Sequence, residues 1–322
     1  MTEDLLGTTV GHIRIVDRLA KGGTGEVYLG RDQQLKRKVA LKAIRDKYRF
    51  DREAKARLLR EARILSRLEH PNICRIYDYI SAEEDDFLVL ELIPGRNLRE
   101  VLQEGVDDGL KMRVALTVAS VLEAAHGQGV IHRDLKPENV MIIPAEEGRP
   151  AEVKVLDFGL ARRLDDEITA TLSGAELGGY RDSPRPRQRA SPPEVETRLG
   201  RVLGTLGYMS PEQAQGQPVT AASDMYSLGL LLQEMFTGRP PVGEGLDRRQ
   251  ILRRAARAET RPVEGVDPDL KALIERLKSL APSARPSASE AAERLRWIRD
   301  KPRRRRTDGP TAPATSAVRS AP

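Results

Sequence analysis

Cysteine is nearly absent: Cys74 is the only one in 322 residues, so no internal disulfide can form. A single thiol fits a reducing, cytoplasmic setting. It follows His70-Pro71-Asn72-Ile73 in an apolar run and reads as a small buried hydrophobe, not a redox switch. Aromatic residues make up 4% of the chain, with one tryptophan, Trp297, so a stacking platform for nucleic-acid bases is not expected. Trp297 is expected to pack on the last helix. No run of eighteen uncharged apolar residues occurs, so no membrane-spanning helix is expected. The opening M-T-E-D-L-L-G places no basic stretch before an apolar one, so no secretory leader is expected.

Apolar residues at 39% are enough for a core, and the length allows one large domain or two modest ones. Charge is dense at 32%, but the net value is only +6, and much of it sits in Lys301-Pro302-Arg303-Arg304-Arg305-Arg306. The sixteen residues after this run are rich in Thr, Ala, Pro and Ser, which predicts a disordered tail over 300–322. The basic run could touch anionic lipid or nucleic acid. A solvated tail or linker stub is the simpler reading.

The chain is organised around residues 131–139, I-H-R-D-L-K-P-E-N. Six polar or charged side chains beside a proline make a poor helix and a poor strand, so a loop is predicted. An apolar helical run at 114–125 precedes it, and the strand pattern Val140-Met141-Ile142-Ile143 follows. Buried elements on both sides would hold catalytic side chains still. Farther on come Val153-Lys154-Val155-Leu156 and then Asp157-Phe158-Gly159.

H-R-D-L-K-P-E-N followed by D-F-G, with a lysine strand upstream, resembles the signature of the protein kinases. The resemblance covers residues 12–299. It implies an α+β, two-lobed protein-kinase fold: a small β-rich lobe with one main helix (12–93) and a large helical lobe (94–299). Residues 1–11 form a lead. The chemistry needs positioning and charge neutralisation more than covalent help. By this resemblance Asp134 accepts or orients the proton of the attacking hydroxyl. Asn139 and Asp157 hold Mg2+, or Mn2+, against the phosphates of ATP. Lys136 reaches the transferred phosphoryl group, as in the Ser/Thr-directed branch.

Residues 12–19 alternate apolar and polar as a strand. Ala20-Lys21-Gly22-Gly23-Thr24-Gly25-Glu26-Val27 then reads as a hairpin loop whose N–H groups approach phosphates closely. The family pattern is G-x-G-x-x-G-x-V. Here Ala20 replaces the first glycine, while Gly22, Gly25 and Val27 match. Val39-Ala40-Leu41-Lys42 resembles the family's V-A-I-K strand. A helix is predicted over 51–69, with Leu58, Ala62 and Leu65 on one face and Glu61 at its border. A carboxylate there needs a partner. The resemblance supplies an ion pair with Lys42, which turns Lys42 to the phosphates. Strands are predicted over 73–80 and 87–92, followed by a break at Pro94-Gly95. The resemblance makes Leu90 the residue behind the adenine. It gives the backbone of Glu91 and Ile93 to the base, with Val27 and Ala40 above the ring and Met141 below.

Large-lobe helices are expected at 97–103, 111–126 and 288–299. From Asp157 to Glu212 there are 56 residues, about twice what the family leads us to expect. The excess lies at about 165–195 and includes R-D-S-P-R-P-R-Q-R-A-S-P-P-E, which cannot bury enough surface to order itself. Gly204-Thr205-Leu206-Gly207-Tyr208-Met209 resembles the substrate shelf of Ser/Thr kinases, with Thr205 near Asp134. Ser210-Pro211-Glu212 resembles the family's A-P-E, and Pro-Glu-Gln at 211–213 has a bacterial look. Asp224 is expected to brace the H-R-D backbone from the start of an apolar helix, and Arg285 to pair with Glu212. A phosphate on the segment commonly pairs with the arginine equivalent to Arg133. Thr197 is the first candidate to carry it, then Thr169, Thr171 and Ser173, then Ser183 and Ser191. The pattern T-x-x-G-x-x-L-G occurs twice, at Thr171 and Thr197.

The sequence therefore reads as a bacterial, eukaryotic-like Ser/Thr protein kinase. It would act on protein substrates and on itself, with no specific nucleic-acid partner. A pseudokinase-type nucleotide-binding scaffold is the alternative. It would be betrayed by loss of the lysine, a metal ligand or the base, yet Lys42, Glu61, Asp134, Asn139 and Asp157 are all present. A small-molecule kinase of the same fold fits poorly with the shelf at 204–212.

Overall fold

The computed structural model describes residues 5–22, 25–44, 52–82, 85–146, 148–158, 206–243 and 245–301, with backbone alone at 22, 52–54, 57, 58 and 61. Alternating residues build the first lobe. Its strands are β1 (Thr9–Val10), β2 (Ile13–Gly22), β3 (Gly25–Asp32) and β4 (Lys38–Ile44). Helix α1 (Arg52–Arg67) follows, then β5 (Ile76–Ser81) and β6 (Asp86–Glu91). They form one antiparallel sheet in the order β1-β2-β3-β4-β6-β5. Side chains alternate across a strand, so each face has its own set. Ile13, Ile15, Tyr28, Val39, Leu41, Phe87 and Val89 pack as a buried cluster on one face. The register sets Val27 opposite Lys42 and Ala40 opposite Leu90, which places these four on the other face.

Helix α1 is slightly shorter than the predicted span. It buries Ala62 and Leu65. Lys55 on this helix donates to Ser81 Oγ and Asp86 Oδ1, both at 3.1 Å. The predicted strand over 73–80 starts late, at Ile76. Residues before it are drawn away to a later strand by two bonds: Val155 N–H donates to Asn72 O at 2.8 Å, and Cys74 N–H to Val155 O at 3.0 Å. A tertiary partner here overrides local strand pattern.

The second lobe begins with β7 (Arg96–Asn97), α2 (Leu98–Gln103) and α3 (Asp108–Gly127). Asn97 caps α2 through a reciprocal bond pair with Glu100, and Asp107 caps α3 by accepting from Leu110 N–H. A 3-10 turn, Pro137–Asn139, leads into β8 (Val140–Ile143), which pairs with β7 and with β9 (Glu152–Val155). The remaining helices are α4 (Pro211–Ala214), α5 (Ala221–Thr237), α6 (Arg248–Ala256), α7 (Pro268–Leu277) and α8 (Ala288–Asp300). Helix α5 is buried nearly all round, as a central helix must be. It ends at Gly238, whose φ of 68° suits a residue without Cβ. The core joins Val118 and Leu122 of α3 to Leu228 and Leu231 of α5, Ile274 of α7 and Leu295 of α8. Trp297 lies on α8 itself and is 49% exposed. The Arg294 guanidinium covers it, 4.0 Å from the ring centre.

The fold is the expected two-lobed one. Among the described residues no helix is long and apolar enough to cross a membrane.

Candidate active site

The 131–139 loop lies between α3 and β8, where the sequence pattern put it. Three of its polar side chains are buried: Asp134 is 6% exposed, Lys136 7% and Asn139 6%. Buried charges must be paired, and these are. Lys136 Nζ donates to Asp134 Oδ2 at 2.6 Å. Asn139 Nδ2 donates to Asp134 O at 2.7 Å and to Asp134 Oδ2 at 3.2 Å. Because its NH2 group faces Asp134, the carbonyl oxygen of Asn139 is the atom left to meet a cation.

The loop backbone is held from below. Asp224 Oδ2 accepts from His132 N–H at 2.7 Å, and its Oδ1 from Arg133 N–H at 2.8 Å. His126 Nε2 meets the same Oδ2 at 2.8 Å. Gln213 Nε2 donates to Arg133 O at 2.9 Å. These bonds hold Arg133 at φ 64°, a conformation that L side chains seldom adopt.

His132 ties the loop to the strand that ends at Asp157. Its Nε2 bonds Leu156 O at 3.0 Å, and its Nδ1 accepts from Asp134 N–H at 3.3 Å. A neutral ring with its proton on Nε2 satisfies both bonds. Burial pushes the His132 pKa below the ordinary 6.5, against the pull of Asp224 and Asp134. The ring lies 4.6 Å from that of Phe158. Leu156 N–H donates to Asn139 O at 2.8 Å, so Leu156 clips the loop on both sides.

Asp157, at φ 50°, reaches across to the first lobe. Its Oδ2 lies 2.8 Å from Lys42 Nζ. Gly22 of β2 pairs with Gly25 of β3 at the end of their ladder. Gly25 has φ 128°, and a Cβ there would lie 2.7 Å from Ala43 O, so only glycine fits. Lys21 Nζ pairs with Glu26 Oε1 across this hairpin at 2.7 Å. The buried Asp134, held by Lys136 and Asn139, and the Lys42–Asp157 pair that joins the lobes form one charged cluster.

Comparison with known proteins agrees. The protein kinase domain family matches residues 13–298. The chain belongs to the protein kinase family. It is 34% identical over 330 residues to serine/threonine-protein kinase pkn3 of Myxococcus xanthus, covering 100% of this chain and 56% of that protein. It is 36% identical over 293 residues to pkn2 of the same organism, covering 88% of this chain and 32% of that protein. It is 34% identical over 293 residues to PkaA of Streptomyces coelicolor, covering 87% of this chain and 48% of that kinase. The chain thus spans about half the length, or less, of these curated relatives. The crystal structure of the Mycobacterium tuberculosis PknI kinase domain superposes with a TM-score of 0.64 at 22% identity, covering 90% of this chain and 97% of that one. That likeness speaks for the fold.

The kinase motifs named from sequence fall into three groups. Asp134, Lys136, Asn139, Lys42 and Asp157 come together as described. Ala20 on β2 pairs with Val27 on β3, and Val27, Ala40 and Leu90 line the sheet face that bears Lys42. Met141 lies on β8 opposite Lys154. The Glu91 N–H donates to Arg75 O at 2.9 Å, and its carbonyl accepts from Cys74 Sγ at 3.7 Å; Ile93 follows β6. The Lys42–Glu61 pair cannot be placed, because the Glu61 side chain is outside the described residues. Gly23, Thr24, Thr205, Thr169, Thr171, Ser173, Thr197, Ser183 and Ser191 are outside them too.

Two structural pairs stand as expected. Asp224 braces the loop, although Thr220 and not Asp224 caps α5. Arg285 meets Glu212 with Nη1 at 2.7 Å and Nη2 at 3.0 Å. Cys74 is half-buried, and burial with the charges of Asp157 and Glu91 pushes its thiol up to about 12. A thiol that stays protonated is not a redox nucleophile.

Sequence reasoning missed one cluster. Arg99 of α2 bridges Glu138, in the catalytic loop, and the buried Glu234 of α5; its Nε lies 3.0 Å from Glu138 Oε1, and its Nη2 donates to Tyr208 OH at 2.7 Å. Burial raises the Glu234 pKa, with Arg99 opposing. These residues are far apart in sequence, and no local pattern joins them. The glutamate inside H-R-D-L-K-P-E-N was the one available signal.

Proposed function

We propose that this chain is a serine/threonine protein kinase that moves the γ-phosphoryl group of ATP to hydroxyls of protein substrates. The observation that carries the reading is the buried Asp134, fixed by Lys136 and Asn139 and set beside the Lys42–Asp157 pair. The substrate oxygen would attack the γ-phosphorus as the bond to the β-phosphate oxygen breaks. ADP leaves, and the hydroxyl proton passes to Asp134 Oδ. Lys136, already at Asp134 Oδ2, would meet the transferred group and lower its charge. Lys42, with Glu61, would hold the other phosphates. Ala20, Lys21, Gly22, Gly23, Thr24 and Gly25 would cover them. Val27, Ala40 and Met141 would enclose the adenine in front of Leu90, with Glu91 O and Ile93 N–H bonding its edge.

The donor set fits a hard cation. Asn139 and Asp157 offer oxygen, both ring nitrogens of His132 are engaged, and the Cys74 thiol stays protonated. Mg2+ or Mn2+ is therefore the ion expected at Asn139 and Asp157, where it would neutralise phosphate charge. We read 12–299 as the catalytic domain, working in the cytoplasm, with 300–322 as a basic tail. Autophosphorylation over 165–205, led by Thr197, would order that segment against Arg133.

The test is transfer of label from γ-labelled ATP to a generic basic protein. Label on Ser and Thr, lost in EDTA and restored by Mg2+ or Mn2+, is expected. No label under any metal would leave the nucleotide-binding scaffold as the better reading.

A further inference from the structure

Helix α6 carries charge of one sign. From Arg239 to Arg261 the chain has seven arginines against Glu244, Asp247 and Glu259. Ile251 and Ala255 are buried and seat the helix on its lobe. Arg249, Arg253 and Arg257 follow one another at four-residue spacing on the opposite side, all exposed. Like charges at that spacing oppose helix formation. Arg248 and Arg249 also occupy the first turn, where the helix dipole disfavours cations, and that turn holds no acidic residue. Asp247 is taken up in capping the helix, accepting from Gln250 N–H at 2.8 Å. Arg257 meets Glu259 at 3.7 Å; among the described residues Arg248, Arg249, Arg253 and Arg254 have no carboxylate within ion-pair distance.

Arg254 and Arg261 both approach Gly243. A Cβ placed on Gly243 would lie 3.6 Å from Arg254 Nη1 and 3.9 Å from Arg261 Nη2. Cations brought near one another repel, and an anion seated between them would relieve this. The needs of the fold account for neither the first-turn arginines nor this approach.

The patch also lies beside the active site. Gln215, which ends α4, donates through Nε2 to Ala256 O at the end of α6 at 2.7 Å. Gln213 of α4 bonds Arg133 O, next to Asp134. Helix α4 therefore touches both the catalytic loop and α6. We infer that the arginine face of α6 docks an acidic segment of the protein substrate, separate from the residue that receives phosphate. This inference rests on the kinase reading. A protein suits the face better than nucleic acid, because α6 has no aromatic side chain to stack on a base. It suits it better than a bilayer, because α6 exposes no apolar residue to enter lipid.

The test uses the full chain and two peptides with the same acceptor serine, one extended by a run of Asp and Glu. The extended peptide should show a KM about tenfold lower, several surface charges acting together. Salt should narrow that gap. Arg249→Glu/Arg253→Glu should abolish it while kcat for both peptides and KM for the plain one stay unchanged. Arg249→Gln/Arg253→Gln should halve it or more, which guards against misfolding of the charge-reversed protein. Equal KM values in the unmodified enzyme, or a gap that survives both variants, would overturn the docking. Should neither peptide be phosphorylated, the kinase reading fails, and anisotropy of the labelled acidic peptide still decides docking. Binding lost in both variants supports it; unchanged binding overturns it. Tighter binding to phosphatidylserine vesicles or to an RNA oligomer than to the acidic peptide would also overturn it.

Discussion

The carboxylate of Asp224 on α5 accepts the backbone N–H of His132, ninety-two residues earlier in the chain, at 2.7 Å. The most buried helix of the large lobe thus fixes the loop that carries Asp134. Asp224→Ala orphans two buried N–H groups, each worth about 1–3 kcal/mol. We expect a loss of about 2–5 kcal/mol in urea unfolding, with kcat falling more than KM rises. An unchanged urea midpoint would show that the brace is not needed.

Arg285 uses all five of its N–H donors. Two go to Glu212, and the rest to Ser279 O, Ala222 O and Leu280 O. Lysine has three donors and no fork, so Arg285→Lys should not rescue what Arg285→Ala loses. We expect about 3–5 kcal/mol lost for Arg285→Ala, since it strands a buried carboxylate. Replacing both partners, Glu212→Gln with Arg285→Met, should cost less than Arg285→Ala alone. A double variant less stable than the single would contradict this.

His132 makes stability depend on pH. Burial holds its folded pKa below the unfolded 6.5. Below that pH the unfolded chain binds a proton that the folded chain does not. Stability is therefore full above about pH 6.5 and falls as pH drops towards the folded pKa, by up to about 1.4 kcal/mol per pH unit. His70, also lowered by burial, adds to the same slope. His132→Phe should be less stable at neutral pH but should lose less between about pH 6.5 and 5.5. Equal slopes in both proteins would assign the loss to other groups.

The loop and the lysine strand were legible in the sequence because each is a local pattern with one chemical use, whereas the pairing of Arg285 with Glu212, 73 residues apart, came only from the resemblance to the protein kinases. The resemblance put Val27, Ala40, Lys42 and Leu90 round one ligand, and the strand register sets them on one sheet face. The start of β5 was not legible: Asn72 and Cys74 bond to Val155, far along the chain. The Arg99–Glu138–Glu234 cluster was hidden for the same reason. Its members come from three elements that only the tertiary fold joins.

Control by phosphorylation is expected between 165 and 205. Mass spectrometry of the active protein should find phosphate there, with Thr197 first, and Thr197→Ala should slow the enzyme. A whole span without phosphate in active protein would refute this, as would a Thr171→Ala/Thr197→Ala variant of full activity.

Asp134 is expected to act on the hydroxyl and not on the nucleotide. Its side chain bonds Lys136 and Asn139, and Lys42 pairs instead with Asp157. The direct measurement is single-turnover transfer and ATP affinity in Asp134→Asn, with Lys42→Met alongside. We expect Asp134→Asn to lower the transfer rate by about 10²–10⁴-fold while ATP binds nearly as before, and Lys42→Met to lose transfer by releasing the phosphates. Near-normal transfer by Asp134→Asn would contradict the account.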